Sequence, residues 1–260
     1  MPSHPGGDIP RHDADAGGSP ELLAAKQELR EGIWATLSER KHARFPGARG
    51  RIPNVTGAEA AADRLRETEV WQRARTLKCN PDSAQWPVRQ RALQDGKTVY
   101  MAVPRLAGAD PFFLLDPDDL GERTPRQASS IKGATAAGRT VAVADLEPVD
   151  LVVAGCVAVS PDGSRLGKGG GFSDLEFAVA YEAGLVATDT PVVTTVHEDQ
   201  VVADGEIPTV DHDIRLDLVV TPERTIRCTR GARHPAGIAW DELTEEKIAA
   251  IPLLGELRPG

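Results

Sequence analysis

The run Val149-Asp-Leu-Val-Val-Ala-Gly-Cys-Val-Ala-Val-Ser160 constrains this chain more than any other segment. Nearly every position is apolar, without the polar alternation of a strand that faces water on one side. A run of that kind is expected as a strand covered on both faces, the situation of a parallel sheet between helices. Helical patterns and further apolar runs alternate around it. The chain therefore reads as an α/β fold, a mainly parallel sheet with flanking helices.

Local signals place the other elements. Ser19-Pro20-Glu21 supplies an N-cap, a proline at the first helical position and an early acid. The helix that follows spaces Leu22, Lys26, Leu29, Ile33 and Leu37 by three and four, which sets Lys26 and Arg30 one turn apart on a shared side. Phe45–Gly57 reads as a loop, Ala58–Leu77 as a second helix, and the stretch from Asn80-Pro81-Asp82 to Gly96 as a shorter one. Strands are expected at Thr98–Val103, Phe112–Leu115, Val192–Val196 and Leu216–Val220, with an edge at Thr225–Cys228. Helices are expected over about Ser173–Ala183 and Asp241–Ile251. Met1–Pro20 has almost nothing to bury and reads as a solvated tail, leaving residues 21–260 as one domain.

Composition narrows the function. Thirty Lys and Arg against 39 Asp and Glu give a net charge of −9, which argues against a general nucleic-acid or anionic-membrane binder but allows a local basic pocket for a nucleotide. The longest apolar stretch, Leu151–Val159, falls far short of the ~20 residues that span a bilayer. The first twenty residues lack the apolar core of a secretory signal. Cys79, Cys156 and Cys228 form no CxxC and leave an odd count, as expected of a cytoplasmic protein with reduced thiols.

The chemistry is concentrated after the apolar strand, in Arg165-Leu166-Gly167-Lys168-Gly169-Gly170-Gly171-Phe172-Ser173-Asp174. Four glycines within five residues, ahead of a helix, let backbone N–H groups approach phosphate oxygens, and the helix start adds a positive dipole. Arg165 and Lys168 bracket the loop as phosphate-neutralising cations, and Asp174 is a hard-oxygen ligand of the kind Mg²⁺ takes. The plain alternative is a flexible turn with Asp174 as a cap. The loop is not a Walker A sequence, since GxxxxGK[ST] is absent, and it lacks a convincing dinucleotide fingerprint.

Taken with its surroundings, this segment resembles the 5-formyltetrahydrofolate cyclo-ligase (5,10-methenyltetrahydrofolate synthetase) family. The resemblance rests on Lys26-Gln-Glu-Leu-Arg30, on the strand Asp150–Val159, on Gly163-Ser-Arg-Leu-Gly-Lys-Gly-Gly-Gly-Phe-Ser-Asp174, and on Gln200, Pro208 and His212-Asp-Ile-Arg-Leu-Asp-Leu-Val219 in order. It covers about residues 21–230 and implies a Rossmann-like α/β domain related to the ribose-5-phosphate isomerase and CoA-transferase superfamily. It also implies ATP with Mg²⁺: ATP phosphorylates the formyl oxygen of 5-formyltetrahydrofolate, folate N10 attacks the activated carbon, and phosphate leaves as the ring closes. By position, Lys26 and Arg30 would contact nucleotide phosphates, with Arg30 also near the folate. Arg165–Ser173 would form the ATP loop, and Asp174 and Asp213 would hold the metal. Lys26, Arg165 and Lys168 would carry the phosphoryl transfer, while Asp82, Gly170 and Phe172 would join Arg30 at the folate. Such chemistry needs charge neutralisation and alignment more than a strong base.

Several positions depart from the family pattern. Gly155 replaces the strand's usual proline, and Phe172-Ser173-Asp174-Leu175-Glu176 lacks the family's tyrosine and arginine. The neighbours of Asp82 do not reproduce the folate-contacting Glu-x-x-Thr motif, and Arg49–Glu59 is foreign to the ordinary enzymes. These features resemble the divergent, cyclo-ligase-like branch, some members of which lack the folate activity while some plant members are tied to thiamine metabolism. The alternatives to the folate reaction are an ATP-dependent enzyme on another amide or formamide and a non-catalytic nucleotide-binding paralogue. His197-Glu198 lacks the second histidine of a HExxH zinc motif, His212 reads as a surface or strand-end residue, and Trp34, Trp71 and Trp86 as packing in the helical layer.

Overall fold

A computed structural model describes residues 18–103, 110–137, 139–229, 234 and 237–258, without the side chains of Phe172 and Lys247. In chain order the strands are β1 (Thr76–Cys79), β2 (Thr98–Ala102), β3 (Phe112–Leu115), β4 (Thr140–Val141), β5 (Leu151–Val153), β6 (Ala158–Val159), β7 (Arg165–Leu166), β8 (Val192–Thr195), β9 (Leu218–Val220) and β10 (Thr225–Arg227). The helices are α1 (Pro20–Glu39), α2 (Ala58–Arg66), α3 (Glu69–Arg73), α4 (Trp86–Gln94), α5 (Pro125–Ala128), α6 (Ile131–Ala137), α7 (Phe172–Glu182), α8 (Glu245–Ala250) and α9 (Pro252–Leu257). No helix among the described residues is long and apolar enough to cross a membrane.

Eight strands form one sheet in the order β10-β9-β8-β5-β1-β2-β3-β4. The five central strands, β9 to β2, run parallel, and antiparallel pairs close both edges. Side chains alternate faces along each strand, and the core divides accordingly. Leu77, Cys79, Leu151 and Val153 pack with Leu65, Trp71, Val88 and Ala92 of α2, α3 and α4. Val152, Val192 and Val219 pack on the opposite face with Phe177 and Val179 of α7 and with the C-terminal Ile248 and Leu254. A third cluster sets Ile33, Trp34 and Leu37 of α1 against Leu166 and Ala158 of the separate β6–β7 ribbon.

The α/β architecture matches the sequence reading, and three boundaries differ from it. Ala58–Leu77 is not one helix: Thr68 caps a new turn by accepting from Trp71 N at 3.4 Å, and Thr76–Cys79 is drawn into the centre of the sheet, buried throughout. Burial between β5 and β2 overrides the local helical pattern there. Val149–Ser160 is not one strand either, since β5 ends at Val153 and the chain leaves the sheet before β6. Gln200 Nε2 satisfies the carbonyls of Cys156 and Val157 at that break, at 3.0 and 3.1 Å. The final helix is divided into α8 and α9 after a 3-10 turn at Trp240–Glu242, because Pro252 starts a new helix. The short α5, α6 and β4 have no counterpart in the sequence reading. Of the expected tail, residues 1–17 lie outside the described residues, and Pro20 already begins α1.

The β6–β7 ribbon depends on Gly163, which has φ +87° and lies between Ser160 O, bonded to its N–H at 3.0 Å, and Leu216 N, which donates to its carbonyl at 2.8 Å. A Cβ there would stand 2.7 Å from Leu216 O. Gly163→Ala is expected to lower unfolding stability by about 1–3 kcal/mol or more through backbone strain and overpacking. A urea midpoint unchanged from wild type would contradict this.

Candidate active site

The order of strand addition reverses at β1: the chain goes from β1 outward to β2, then returns across β1 to lay down β5. Ligands of open α/β sheets bind beyond the carboxyl ends of strands at such a switch point. Here that region opens into a cavity of about 550 Å³. Its wall includes Asn80, Pro81 and Asp82 from the end of β1, Arg165, Gly167, Lys168, Gly170 and Gly171 from the glycine loop, and Asp174 and Glu176 from α7.

The loop is stretched between the ribbon and a helix. Gly169 and Gly171 carry the positive φ values, +107° and +61°, and Gly171 is the N-cap of α7 without any side-chain cap. The first turn of α7 therefore presents backbone N–H groups to the cavity mouth, where an anion is favoured. Arg30 Nε donates to Gly167 O at 2.9 Å, which fixes the start of the loop to α1. Lys168 lies exposed at the cavity without a hydrogen bond or ion-pair contact among the described residues.

The buried cations come paired with acids. Arg165 is buried against Asp174, whose Oδ1 also accepts from Ile214 N at 3.0 Å, and Arg165 Nε has no hydrogen-bond partner. Lys26 Nζ lies 3.2 Å from Asp213 Oδ2, which also accepts from Val210 N at 2.9 Å. Lys26, Arg30, Gly167, Lys168, Gly170, Gly171, Ser173, Asp174 and Asp213 thus converge on one region, with Arg165 behind them. Leu166 instead points into the core beside Leu37, and the Phe172 side chain lies outside the described residues.

The sequence reading missed a second polar group. Lys78 of β1 forms a buried ion pair with Glu176 of α7, and Asn80 Nδ2 donates to Glu176 Oε2 at 2.9 Å. Asn80 Oδ1 accepts from Gly155 N at 3.1 Å, so one side chain ties β1, the end of β5 and α7 together. Reading a helix up to Leu77 hid the strand that carries Lys78, although Lys78-x-Asn80 followed by Pro-Asp was there to be seen. Pro46, Arg51, Ile52 and Asn54 also line the cavity, which gives the foreign loop a place in the site. Trp34, Trp71 and Trp86 do not line it; Trp34 Nε1 donates to Arg51 O at 3.0 Å and so supports the loop from behind. His197 caps a 3-10 turn and packs its ring on His42, with centroids 4.1 Å apart. His212 faces Glu242.

Asp82 sits where Gly155 leaves it room: a Cβ on residue 155 would stand 2.9 Å from Asp82 Oδ2 and 3.1 Å from Ile52 Cγ2. Burial lifts the Asp82 carboxyl above its usual range, Lys168 opposes the rise, and Glu176 adds to it. A carboxyl with a raised folded-state value binds its proton more tightly when folded, so ionising it at neutral pH costs stability. Asp82→Asn is therefore expected to melt at a higher temperature than wild type at about pH 7, with the gain vanishing below about pH 3.5, where the unfolded carboxyl is protonated as well. A difference independent of pH would remove Asp82 as its source.

Comparison with known proteins agrees with this geometry. The sequence profile described as the 5-formyltetrahydrofolate cyclo-ligase family matches residues 23–222. The bovine (Bos taurus) methenyltetrahydrofolate synthase domain-containing protein is 37% identical over 240 residues, covering 92% of this chain and 63% of its own length. The Homo sapiens protein of the same name is 35% identical over 235 residues, 90% of this chain and 61% of its own. This chain thus spans a little under two thirds of those relatives. The 5-formyltetrahydrofolate cyclo-ligase of Mycolicibacterium smegmatis is 33% identical over 81 residues, 31% of this chain and 38% of that one. The solved 5,10-methenyltetrahydrofolate synthetase of Aquifex aeolicus shares the fold at a TM-score of 0.50 and 20% identity, covering 80% of this chain and 94% of its own. With the glycine loop, the two acid–cation pairs and the switch-point cavity inside the matched region, this chain is a member of the 5-formyltetrahydrofolate cyclo-ligase family.

Proposed function

We propose that this chain closes 5-formyltetrahydrofolate to 5,10-methenyltetrahydrofolate at the expense of ATP. The observation that carries the reading is the uncapped N-terminus of α7 opening beside Lys26, Lys168 and Arg165 at the mouth of a cavity large enough for a second substrate. The γ-phosphoryl group passes to the formyl oxygen, releasing ADP. Folate N10 then attacks the formyl carbon, and the carbon–oxygen bond breaks to release inorganic phosphate. Lys168 and the amides of the glycine loop take up charge on the transferring group, and Lys26 holds the phosphates from the α1 side. Asp82 lies across the cavity as an acceptor for donor groups of the pterin, with Gly170 and Arg30 on the loop side.

Asp174 and Asp213 fit a magnesium ion. Each commits one oxygen to a cation and a backbone N–H, which leaves its second oxygen clear of those contacts, and both line the same cleft. One or two carboxylates completed by phosphate oxygens and water are what Mg²⁺ commonly takes. Bound there, the metal would neutralise phosphate charge. The free thiols of Cys79 and Cys156, both buried, agree with a cytoplasmic setting, and residues 21–260 serve as one domain.

One observation favours a second reading, ATP-dependent activation of a different amide or formamide. The wall near Asp82 includes Ser83, Ser173 and Arg51, Ile52 and Asn54 of the foreign loop, places where the sequence leaves the family pattern. Methenyltetrahydrofolate absorbance with ADP measured in parallel separates the two. Lys168→Ala, at an exposed residue without a hydrogen bond or ion pair among the described residues, is expected to slow ATP-dependent methenyltetrahydrofolate formation by roughly 10- to 100-fold, the equivalent of one charge-assisted hydrogen bond, with the fold retained. Wild-type ADP release with an amide panel, and none with the folate, would favour the second reading. No ATP-dependent product from either would end both.

A further inference from the structure

Two histidines and an aspartate meet at the foot of the Phe45–Gly57 loop, outside the large cavity. His42 follows α1 just ahead of that loop, His197 caps the 3-10 turn Glu198–Gln200 after β8, and Asp199 lies within the turn. Their ligand atoms, one from each residue, all lie within 4.8 Å of one another. Asp199 Oδ2 stands 2.6 Å from His42 Nδ1 and 3.6 Å from His197 Nδ1, and the two ring centroids are 4.1 Å apart.

The three atoms are already turned toward each other. His197 Nδ1 accepts from Asp199 N at 3.2 Å, so this nitrogen carries no proton and points its lone pair into the cluster. Arg40 holds Asp199 Oδ1 at 2.6 Å, which leaves Oδ2 as the oxygen that both rings approach. His42 Nδ1 meets Oδ2 through a proton, and moving that proton to Nε2 frees the second nitrogen by a change of tautomer alone. Nitrogen and oxygen ligands about 2.0–2.2 Å from a tetrahedral metal stand roughly 3.3 Å apart. The 2.6 and 3.6 Å separations bracket that value, and the His42 side chain keeps 34% of its surface open to solvent.

We infer that His42 Nδ1, His197 Nδ1 and Asp199 Oδ2 bind a divalent transition-metal ion of the zinc class, with water as the fourth ligand. Two imidazoles and one carboxylate suit such an ion, whereas Mg²⁺ takes oxygen ligands, as at Asp174 and Asp213. The site is independent of the folate reading. His42 stands at the neck of the loop: its carbonyl accepts from Thr56 N at 2.8 Å, Ala43 bridges Val55, and Arg44 N donates to Asn54 O at 2.8 Å. The other two ligands share a turn with Gln200, which satisfies the break after β5. The ion thus ties the loop whose Arg51, Ile52 and Asn54 line the large cavity to the end of the central sheet.

Calorimetry of the full chain with Zn²⁺, in excess Mg²⁺ to occupy oxygen-only sites, tests it. Wild type is expected to bind one Zn²⁺ per chain. His42→Gln, which keeps a donor for Asp199, and Asp199→Asn are each expected to weaken binding by roughly 100-fold or more, beyond the roughly 10- to 100-fold that loss of an outer-shell partner costs. Cys228→Ser, which removes the half-buried thiol, is expected to bind as wild type does. Circular dichroism without zinc shows that each variant is folded. Zn²⁺ is also expected to slow tryptic cleavage after the exposed Arg44, Arg49 and Arg51 in wild type but not in His42→Gln. No Zn²⁺ binding by wild type, or equal binding by His42→Gln and Asp199→Asn, would overturn the site. Binding as expected with cleavage unslowed would overturn its hold on the loop.

Discussion

The Asn80 side chain holds the site together. It accepts from Gly155 N where the chain leaves the sheet, and donates to Glu176 of α7, which Lys78 neutralises one alternate residue back along β1. Two neighbouring parallel strands and the helix after the glycine loop are thereby fixed relative to one another by buried polar groups that satisfy each other. Such a group is costly to leave half made, since an uncompensated buried charge is worth about 3–5 kcal/mol of destabilisation. The cavity is therefore a consequence of the frame and not a gap in it. Any change in the relative position of β1, β5 and α7 would have to break the Lys78–Glu176 pair.

The cations of the site are held differently. Arg165 and Lys26 are each already paired, with Asp174 and Asp213, in a region poor in water. Unpaired, they would repel each other across the loop and lose the folded state some of its stability. Paired, they are held in place, which would cost little reorganisation if a triphosphate bound as proposed. On the reading proposed above, Arg165 and Lys26 would turn to the phosphates and Asp174 and Asp213 would hold the metal, which would keep every charge paired. Lys168 is the exception: it is exposed, without an ion pair among the described residues, and its field lowers an Asp82 carboxyl that burial alone would lift further.

Much of this was legible in the residues. The glycine loop, the helix after it, and the meeting of Lys26 with Asp213 beside that helix follow from glycine spacing and family resemblance, because close backbone approach requires a sequence with no side chains in the way. The α/β class followed from continuous apolar runs. What was not legible was decided by partners distant in sequence. Thr76–Cys79 carries the pattern of a helix end and becomes the central strand because two neighbours bury it. The strand through Gly155 breaks because Asn80 and Asp82 converge on it from one part of the chain and Gln200 from another. Lys78 and Glu176 lie 98 positions apart, and nothing local announces that one will neutralise the other.

Most departures from the family pattern gather around Asp82. Gly155 stands behind it, and Ser83, Ser173 and the Arg51, Ile52 and Asn54 part of the foreign loop line the large cavity, while Leu175 lies apart from that cavity; Lys26, Arg165, Asp174 and Asp213, which resemble the family motif, gather beside the α7 terminus. A proline at 155 would place its Cβ against Asp82 and Ile52, so glycine there, Asp82 and the foreign loop are one steric solution and not three independent changes. Phosphoryl chemistry tolerates little variation in where charge is placed, since its rate depends on alignment. The wall that meets the second substrate answers only to that substrate's shape and donors. A site built this way conserves the half that activates and lets the half that selects be rebuilt around the same helix.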